Sequence, residues 1–172
     1  IPPFDVRVYR HLSHEVDTVF HVFQRLEREV GLPMIVFQYP EPSGCSYSLD
    51  ALERIAALDH VVAIKASTGT PAKYAELYDR LGHRLALLPA ADSPSLLGML
   101  LHGAPGSLIG ISVVGTQSWS DLVREATRGD ANRARDLHNQ FAVPLMRGIF
   151  EYHMHWTPTC PFGATKEALV QL

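Results

Sequence analysis

Cysteine is scarce in this sequence, and its two cysteines are placed far apart. Cys45 and Cys160 lie in different halves of the 172-residue chain, and neither belongs to a C-x-x-C pair. This spacing excludes a disulfide framework and does not resemble a zinc-binding pattern. A reducing, cytoplasmic location is therefore the default expectation.

Long apolar runs and concentrated charge are also absent. No stretch reaches the ~18 consecutive apolar residues of a transmembrane helix, and the N-terminus does not resemble a signal peptide. The 15 basic and 18 acidic residues are scattered and give a formal net charge of −3. Nucleic-acid-binding proteins usually cluster positive charge on one face, so we expect neither nucleic acid nor membrane as a partner.

Four apolar runs give the chain its organisation. They occupy 33–37 (PMIVF), 61–64 (VVAI), 85–88 (LALL) and 107–114 (SLIGISVV), and each precedes a segment with helical character. A repeated order of strand and helix is typical of parallel β/α units, so an α/β fold is predicted.

The second of these runs ends in a lysine. Val61 to Ile64 has the β-branched composition of a buried strand, and Lys65 stands at its C-terminal end. Burial disfavours the charged form of an amine, and a neutral lysine can attack a ketone to form a Schiff base. The alternative is a lysine whose ammonium simply reaches solvent from the strand end.

Three motifs resemble those of the N-acetylneuraminate lyase and dihydrodipicolinate synthase family of class I aldolases, and they occur in the family's order. Residues 37–44 (FQYPEPSG) resemble Tyr-Asn-x-Pro-x-x-(Ser/Thr)-Gly, 63–67 (AIKAS) the strand with the Schiff-base lysine, and 103–106 (GAPG) a Gly-Ala-x-Gly turn. Residues 165–169 (TKEAL) resemble its C-terminal Lys-x-Ala-Leu helix. The resemblance implies a (β/α)8 TIM barrel, Lys65 as catalytic residue, a pyruvate or 2-keto-acid substrate, no cofactor, and a homo-oligomer, either tetramer or dimer.

The chain is short for such a barrel, which needs roughly 250 residues and about 200 at the least. With about four β/α units visible, we expect residues 1–115 to form the C-terminal half of a barrel. Residues 116–172 would hold its last helix and a helical C-terminal extension. The N-terminal half, with the residues that bind the substrate carboxylate, would then be absent from this sequence.

Two positions depart from the family motif. Phe37 stands where the family has a proton-relaying tyrosine, and phenylalanine has no ionisable oxygen. The relay would have to come from Tyr39, from a missing segment, or from bound substrate or water. Pro42 stands where the synthase branch has an arginine, which argues against dihydrodipicolinate synthesis from aspartate semialdehyde.

The resemblance also implies substrate contacts beyond Phe37 and Tyr39. Ser43 belongs to the first motif, while Ser67 takes the place of a lyase hydroxyl, although a turn or capping role is equally open. Asp92 takes the place of a carboxylate that binds substrate hydroxyls, although an aspartate before Ser-Pro is also a common N-cap. Leu108 and Gly110 would line the pyruvate portion.

No metal site is predicted. His153 and His155, with Cys160 as a third ligand, are the residues that could bind a metal, but three loosely spaced residues underdetermine a tetrahedral site.

Residue spacing also predicts the bounds of several helices and of one strand. The spacing predicts a helix over 13–30 with Ser13 as N-cap, a helix over 48–58 with Ser48 as N-cap, and a last strand over 106–114. Helices are also expected at 121–128 and 131–150, with a break at Gly129-Asp130 and a kink at Pro144.

Two functions follow as hypotheses. The first is a Schiff-base lyase, either an aldolase or a dehydratase. The second, motivated by Phe37 and Pro42, is a catalytically altered family member that serves as a keto-acid sensor or structural subunit.

Overall fold

The computed structural model describes residues 13–151 and 161–171. The chain divides into two compact units, Ile1–Ala90 and Ala91–Leu172. Within the described ranges, strands occur only in the first unit, and the second is helical.

The first unit alternates helices and strands as the sequence predicts. Its elements are α1 (Val16–Val30), β1 (Met34–Gln38), α2 (Leu49–Ala56), β2 (Val61–Ala66), α3 (Pro71–Leu81) and β3 (Ala86–Pro89). The strands form a parallel sheet in the order β1-β2-β3, with β2 at its centre. The first three predicted strands are therefore confirmed.

The register gives the sheet two different faces. On one face Val36, Ile64 and Leu87 lie side by side, and each is at most 1% exposed. On the other face, Lys65 pairs with Phe37 on β1, and on β3 its partner is Leu88. These three side chains are only half-buried. The first row forms core, and the second leaves an amine accessible.

Local capping explains where several helices begin and end. The Ser48 hydroxyl accepts a hydrogen bond from the Ala51 amide at 3.2 Å, and the Thr70 hydroxyl accepts one from Lys73 at 3.3 Å. Gly31 follows α1 with φ +65°, a left-handed conformation that glycine adopts without strain. The predicted cap at Ser48 is therefore confirmed.

The prediction for Ser13 is wrong. Helix α1 begins at Val16, Glu15 occupies the capping position, and no side chain caps the helix there. The Ser13 hydroxyl instead donates to the Gly44 carbonyl at 3.4 Å. The hydroxyl that we expected to cap α1 therefore bonds to a residue that is distant in the sequence.

A buried tyrosine ties α3 to β3. Tyr74 is 0% exposed, and its hydroxyl donates to the Leu87 carbonyl at 2.9 Å. Burial raises the pKa of this phenol, because the phenolate would lose its hydration. The bond satisfies a buried carbonyl that would otherwise cost stability.

In the second unit the described helices are α4 (Leu96–Leu101), α5 (Thr116–Thr127), α6 (Ala131–Leu137), α7 (Val143–Met146) and α8 (Pro161–Val170). The predicted break at Gly129-Asp130 is confirmed. Gly129 has φ +85°, and the Asp130 carboxylate accepts a hydrogen bond from the Arg133 amide at 2.9 Å, which starts α6. The described residues contain no helix with the length and apolarity to cross a membrane.

The predicted strand over 106–114 is wrong. Residues Gly110–Val113 form a 3-10 turn, and no described strand pairs with this segment. Ile111 is nevertheless buried, and its amide donates to the Asp92 carboxylate at 3.1 Å. A short apolar run indicates that a segment is buried, but it does not specify the backbone conformation. Here the Asp92 carboxylate accepts the hydrogen bond that a neighbouring strand would otherwise accept from the Ile111 amide.

Pro144 lies in a stretch where the helix departs from regular α geometry, and the predicted kink stays a prediction. Turns of π-helix, His138–Ala142 and Arg147–Glu151, lie on either side of α7. Proline has no amide hydrogen, and its ring displaces the carbonyl four residues earlier, so the hydrogen-bond ladder widens locally.

Candidate active site

Lys65 is the penultimate residue of the central strand, as the sequence predicts. Its side chain lies between Phe37 and Leu88 in the half-buried row of the sheet. Ligands of parallel α/β sheets usually bind beyond the carboxyl ends of the strands. This position therefore suits a reactive amine that must meet a small substrate.

The Lys65 amine lies over an aromatic ring. Its Nζ atom is 4.2 Å from the centroid of the Phe37 ring. The face of a phenyl ring carries partial negative charge and attracts a cation at this distance. The contact orients the amine without a permanent bond to it.

Tyr39 extends this cluster. Its ring stacks on that of Phe37, with centroids 4.2 Å apart and an interplanar angle of 27°. Residues two apart along an extended chain point to the same side, which explains why both rings meet. The structure thus brings together three predicted site residues, Lys65, Phe37 and Tyr39, although their chemical roles stay predictions.

The two predicted serines have structural hydrogen bonds. The Ser43 hydroxyl donates to the Pro40 carbonyl at 2.6 Å and accepts from the Cys45 amide at 3.0 Å. The Ser67 hydroxyl donates to the Ala90 carbonyl at 3.2 Å. Both shape loops after strands, which supports the turn-forming alternative for Ser67. Their contact with substrate stays a prediction.

Asp92, Leu108 and Gly110 belong to the second unit. Asp92 does not cap α4, because Ser95 precedes that helix, so the capping alternative is wrong. Its carboxylate holds the 3-10 turn through the Ile111 amide, and its second oxygen lies 3.5 Å from the position of a Cβ on Gly110. Leu108 is 39% exposed. A substrate role for these three residues stays a prediction.

A cavity of about 380 Å³ with a mixed polar and apolar lining lies in the first unit beside the ends of β1 and β2. Its polar lining includes His14, Tyr39, Glu41, Thr68, Lys73 and Glu76. Lys73 Nζ lies 3.0 Å from Glu41 Oε1 and 3.7 Å from Glu76 Oε2. The hydrogen bond to Glu41 is the main reason why the pKa of Lys73 is raised.

Sequence reasoning missed this cavity and the neighbour Leu88. The spacing of Lys73 and Glu76 could have placed both on one face of α3, since residues three apart are neighbours on a helix. No local signal connects Glu41 to them. Leu88 becomes a neighbour of Lys65 only through the pairing of β2 with β3.

No cluster of three or more potential metal ligands occurs among the described residues. His153, His155 and Cys160 lie outside the described ranges.

Comparisons with known proteins show the family and the fold of the chain. The model of the dihydrodipicolinate synthetase family matches residues 9–157. The 4-hydroxy-tetrahydrodipicolinate synthase of Stutzerimonas stutzeri (strain A1501) is 28% identical over 128 residues, which are 74% of this chain and 43% of that protein. The synthase of Aquifex aeolicus (strain VF5) is 31% identical over 121 residues, 70% of this chain and 41% of that protein. The chain thus spans less than half the length of these relatives.

Solved structures show the same fold. The crystal structure of dihydrodipicolinate synthase from Aquifex aeolicus matches with a TM-score of 0.69 and 29% identity over 76% of this chain and 44% of that one. A prophage protein of the dihydrodipicolinic acid synthase family from E. coli K12 matches with a TM-score of 0.74 and 19% identity, over 90% of this chain and 51% of that one. The parallel sheet and its helices are accordingly part of a (β/α)8 barrel, and the chain belongs to the dihydrodipicolinate synthetase family of lyases.

Proposed function

We propose that this chain carries the catalytic lysine of a pyruvate- or 2-keto-acid-dependent lyase, an aldolase or a dehydratase. The observation that carries the proposal is the position of the Lys65 amine, at the carboxyl end of the central strand and over the Phe37 ring. Two of the matching structures, from Acinetobacter baumannii and E. coli K12, are described as complexes with pyruvate. Pyruvate is therefore the first substrate to test.

The reaction begins when the neutral Lys65 amine attacks the keto carbon. The carbinolamine takes up a proton and loses water, and so becomes a protonated imine, which withdraws electrons from the neighbouring carbon. A C–C bond next to that carbon can then break or form, or a hydroxyl can leave as water. This chemistry requires no metal or organic cofactor.

The other predicted contacts complete the proposal. Ser43, Ser67 and Asp92 would offer hydroxyl and carboxylate groups to the substrate, and Leu108 and Gly110 would line its pyruvate portion. The groups that bind the substrate carboxylate are proposed to lie in the part of the barrel that this chain does not cover. A homo-oligomer is also a proposal, and one structural neighbour is described as a monomeric variant.

We further propose that the substrate is not aspartate semialdehyde. The synthase branch has an arginine at the position of Pro42, and proline offers no charge to bind a carboxylate. The relatives named as synthases are only 28% and 31% identical to this chain. A substrate that is another aldehyde or keto acid is compatible with identities this low.

Borohydride trapping tests the Schiff base. The full-length protein that carries this chain is incubated with pyruvate and sodium borohydride, digested, and analysed by mass spectrometry. We expect the peptide with Lys65 to gain the mass of a reduced pyruvate. Absence of the adduct on intact, folded protein would refute the proposal.

Matched lysine variants locate the reaction. Lys65→Arg keeps the positive charge but cannot form the imine, so it should give no adduct and no turnover. Lys73→Arg changes a lysine that lines the cavity of the first unit and should leave the adduct on Lys65 intact. Equal trapping in both variants would show that the borohydride reaction is not specific to Lys65.

A second function is favoured by Phe37, which has no phenol where the family has its proton relay. A protein with this residue could bind keto acids without turnover, as a sensor or structural subunit. Calorimetry that shows saturable keto-acid binding, with no product from a panel of aldol and dehydration substrates, would support it. Turnover of any one substrate would exclude it.

A further inference from the structure

We infer that Phe37 serves as a cation–π platform that keeps the imine on Lys65 protonated. The inference rests on the proposed function and assigns to this phenylalanine a role that needs no ionisable oxygen. The electron-withdrawing form of the intermediate is the protonated one, so a group that stabilises its charge preserves the reactive state.

The geometry already suits this role in the absence of substrate. Phe37 and Lys65 are direct partners across β1 and β2, and Nζ lies 4.2 Å from the ring centroid, well inside the ~6 Å range of cation–π contacts. The imine nitrogen is the same Nζ atom. Its positive charge therefore develops where the ring face already lies.

The ring face is a favourable contact for a positive charge on the Lys65 nitrogen. Among the described residues, no carboxylate lies within ion-pair distance of the Lys65 amine. On the other side of Lys65 the sheet places Leu88, which is apolar. A half-buried cation between two apolar side chains gains more from a ring face than one in open water.

Tyr39 positions the platform. The stack of Tyr39 on Phe37, at 4.2 Å between centroids, restricts rotation of the Phe37 ring. Phe37 and Leu88, which face Lys65 from the neighbouring strands, carry no titratable atom. Tyr39 is the titratable group in this cluster, so its own ionisation must be controlled in any pH experiment.

The proposal predicts an unusual dependence on pH. Where free Lys65 is an ammonium, imine formation converts one cation into another, and the ring stabilises both. Where free Lys65 is neutral, only the imine gains from the ring. Loss of the cation–π contact should therefore reduce the protonated imine more in strongly alkaline buffer, where a lysine amine is mostly neutral, than in neutral buffer.

A series of fluorinated phenylalanines at position 37 tests this. Each fluorine withdraws charge from the ring face while it changes the side-chain shape little. We expect borohydride trapping of pyruvate in alkaline buffer to fall stepwise from phenylalanine to trifluorophenylalanine, by about three- to tenfold in total. In neutral buffer the same series should give a smaller decrease in trapping.

Matched controls separate this role from a structural one. The same fluorinated residues at Phe23, whose ring contacts Tyr47 edge-on, should leave trapping unchanged in both buffers. Phe37→Leu, which keeps apolar bulk without a ring, should resemble the most fluorinated variant. The whole series is repeated in a Tyr39→Phe background to remove the phenol's titration.

The outcomes are distinguishable. Trapping that is constant across the series, or that falls equally in both buffers, would overturn the platform while the Schiff base itself stands. Failure of the unmodified protein to form any adduct would instead refute the proposed function.

Discussion

Phe37 and Tyr39 together differ from the family motif in where the phenol stands. The first position of the motif has a ring without a hydroxyl, and the phenol stands two residues later, stacked on that ring. The cluster therefore contains one phenol, two residues after the position that the motif specifies. This arrangement leaves the first ring free to contact the Lys65 amine.

Exchange of the two side chains shows which position can relay protons. If the Tyr39 phenol is the relay, we expect Phe37→Tyr to give no gain in turnover. The added hydroxyl at this half-buried position should cost about 1 kcal/mol of stability. Tyr39→Phe should lower turnover by roughly 10²-fold, the lower end for a general acid or base. Turnover on one keto acid and urea unfolding measure both effects.

The opposite pattern would be informative. A large gain for Phe37→Tyr together with unchanged turnover for Tyr39→Phe would show that the relay belongs to the first position and that this chain has lost it.

Helix α5 begins directly after Gly115, and the ring of Phe141 packs against this glycine. Gly115 has φ +69°, and a Cβ at this position would lie 2.7 Å from Cζ of Phe141 and 2.9 Å from its Cε2. Phe141 in turn contacts Trp119 edge-on, with ring centroids 5.3 Å apart. Backbone conformation and lack of space therefore both favour glycine.

Gly115→Ala should lower the free energy of unfolding by about 2–4 kcal/mol, since left-handed strain and overpacking add. Gly129→Ala is the matched control, because Gly129 has φ +85° but nothing within 4 Å of its Cβ position. We expect it to cost only about 1 kcal/mol. Equal losses in urea unfolding would show that Phe141 moves aside at little cost.

Elements whose ends depend on neighbouring residues were predictable. Ser48, Thr70 and Gly31 act within four residues of their own positions, so the sequence alone places them. The turn at Gly110–Val113 was not predictable in this way, because its amide bonds to a carboxylate 19 residues away. An apolar run gives no sign of such a partner.

Stability of the protein as a whole should decline in mild acid through one buried histidine. His138 is 4% exposed, and burial lowers its pKa, against the opposing effect of hydrogen bonds with Asn139 and the Pro94 backbone. The unfolded chain binds a proton near pH ~6.5, while the folded protein binds it only at lower pH. The stabilisation is therefore complete above about pH 6.5 and is lost as the pH falls through the folded pKa.

We expect the free energy of unfolding, measured in urea at a series of pH values, to fall below about pH 6.5 in the unmodified protein. His138→Gln should reduce this slope. His83→Gln, which changes an exposed histidine, should leave it unchanged. A slope that is the same in all three proteins would assign the acid sensitivity to other groups.

The sequence by itself determined the alternation of strands and helices, the position of Lys65 at a strand end, and the family to which the chain belongs. These features depend on periodicity, on capping residues and on short motifs, all of which act over a few residues. Only the tertiary structure decided that Phe37 lies beneath the Lys65 amine and that Asp92 holds a turn instead of capping a helix. Strand register and long-range hydrogen bonds bring together residues that are distant in the chain, and no local pattern specifies such pairings.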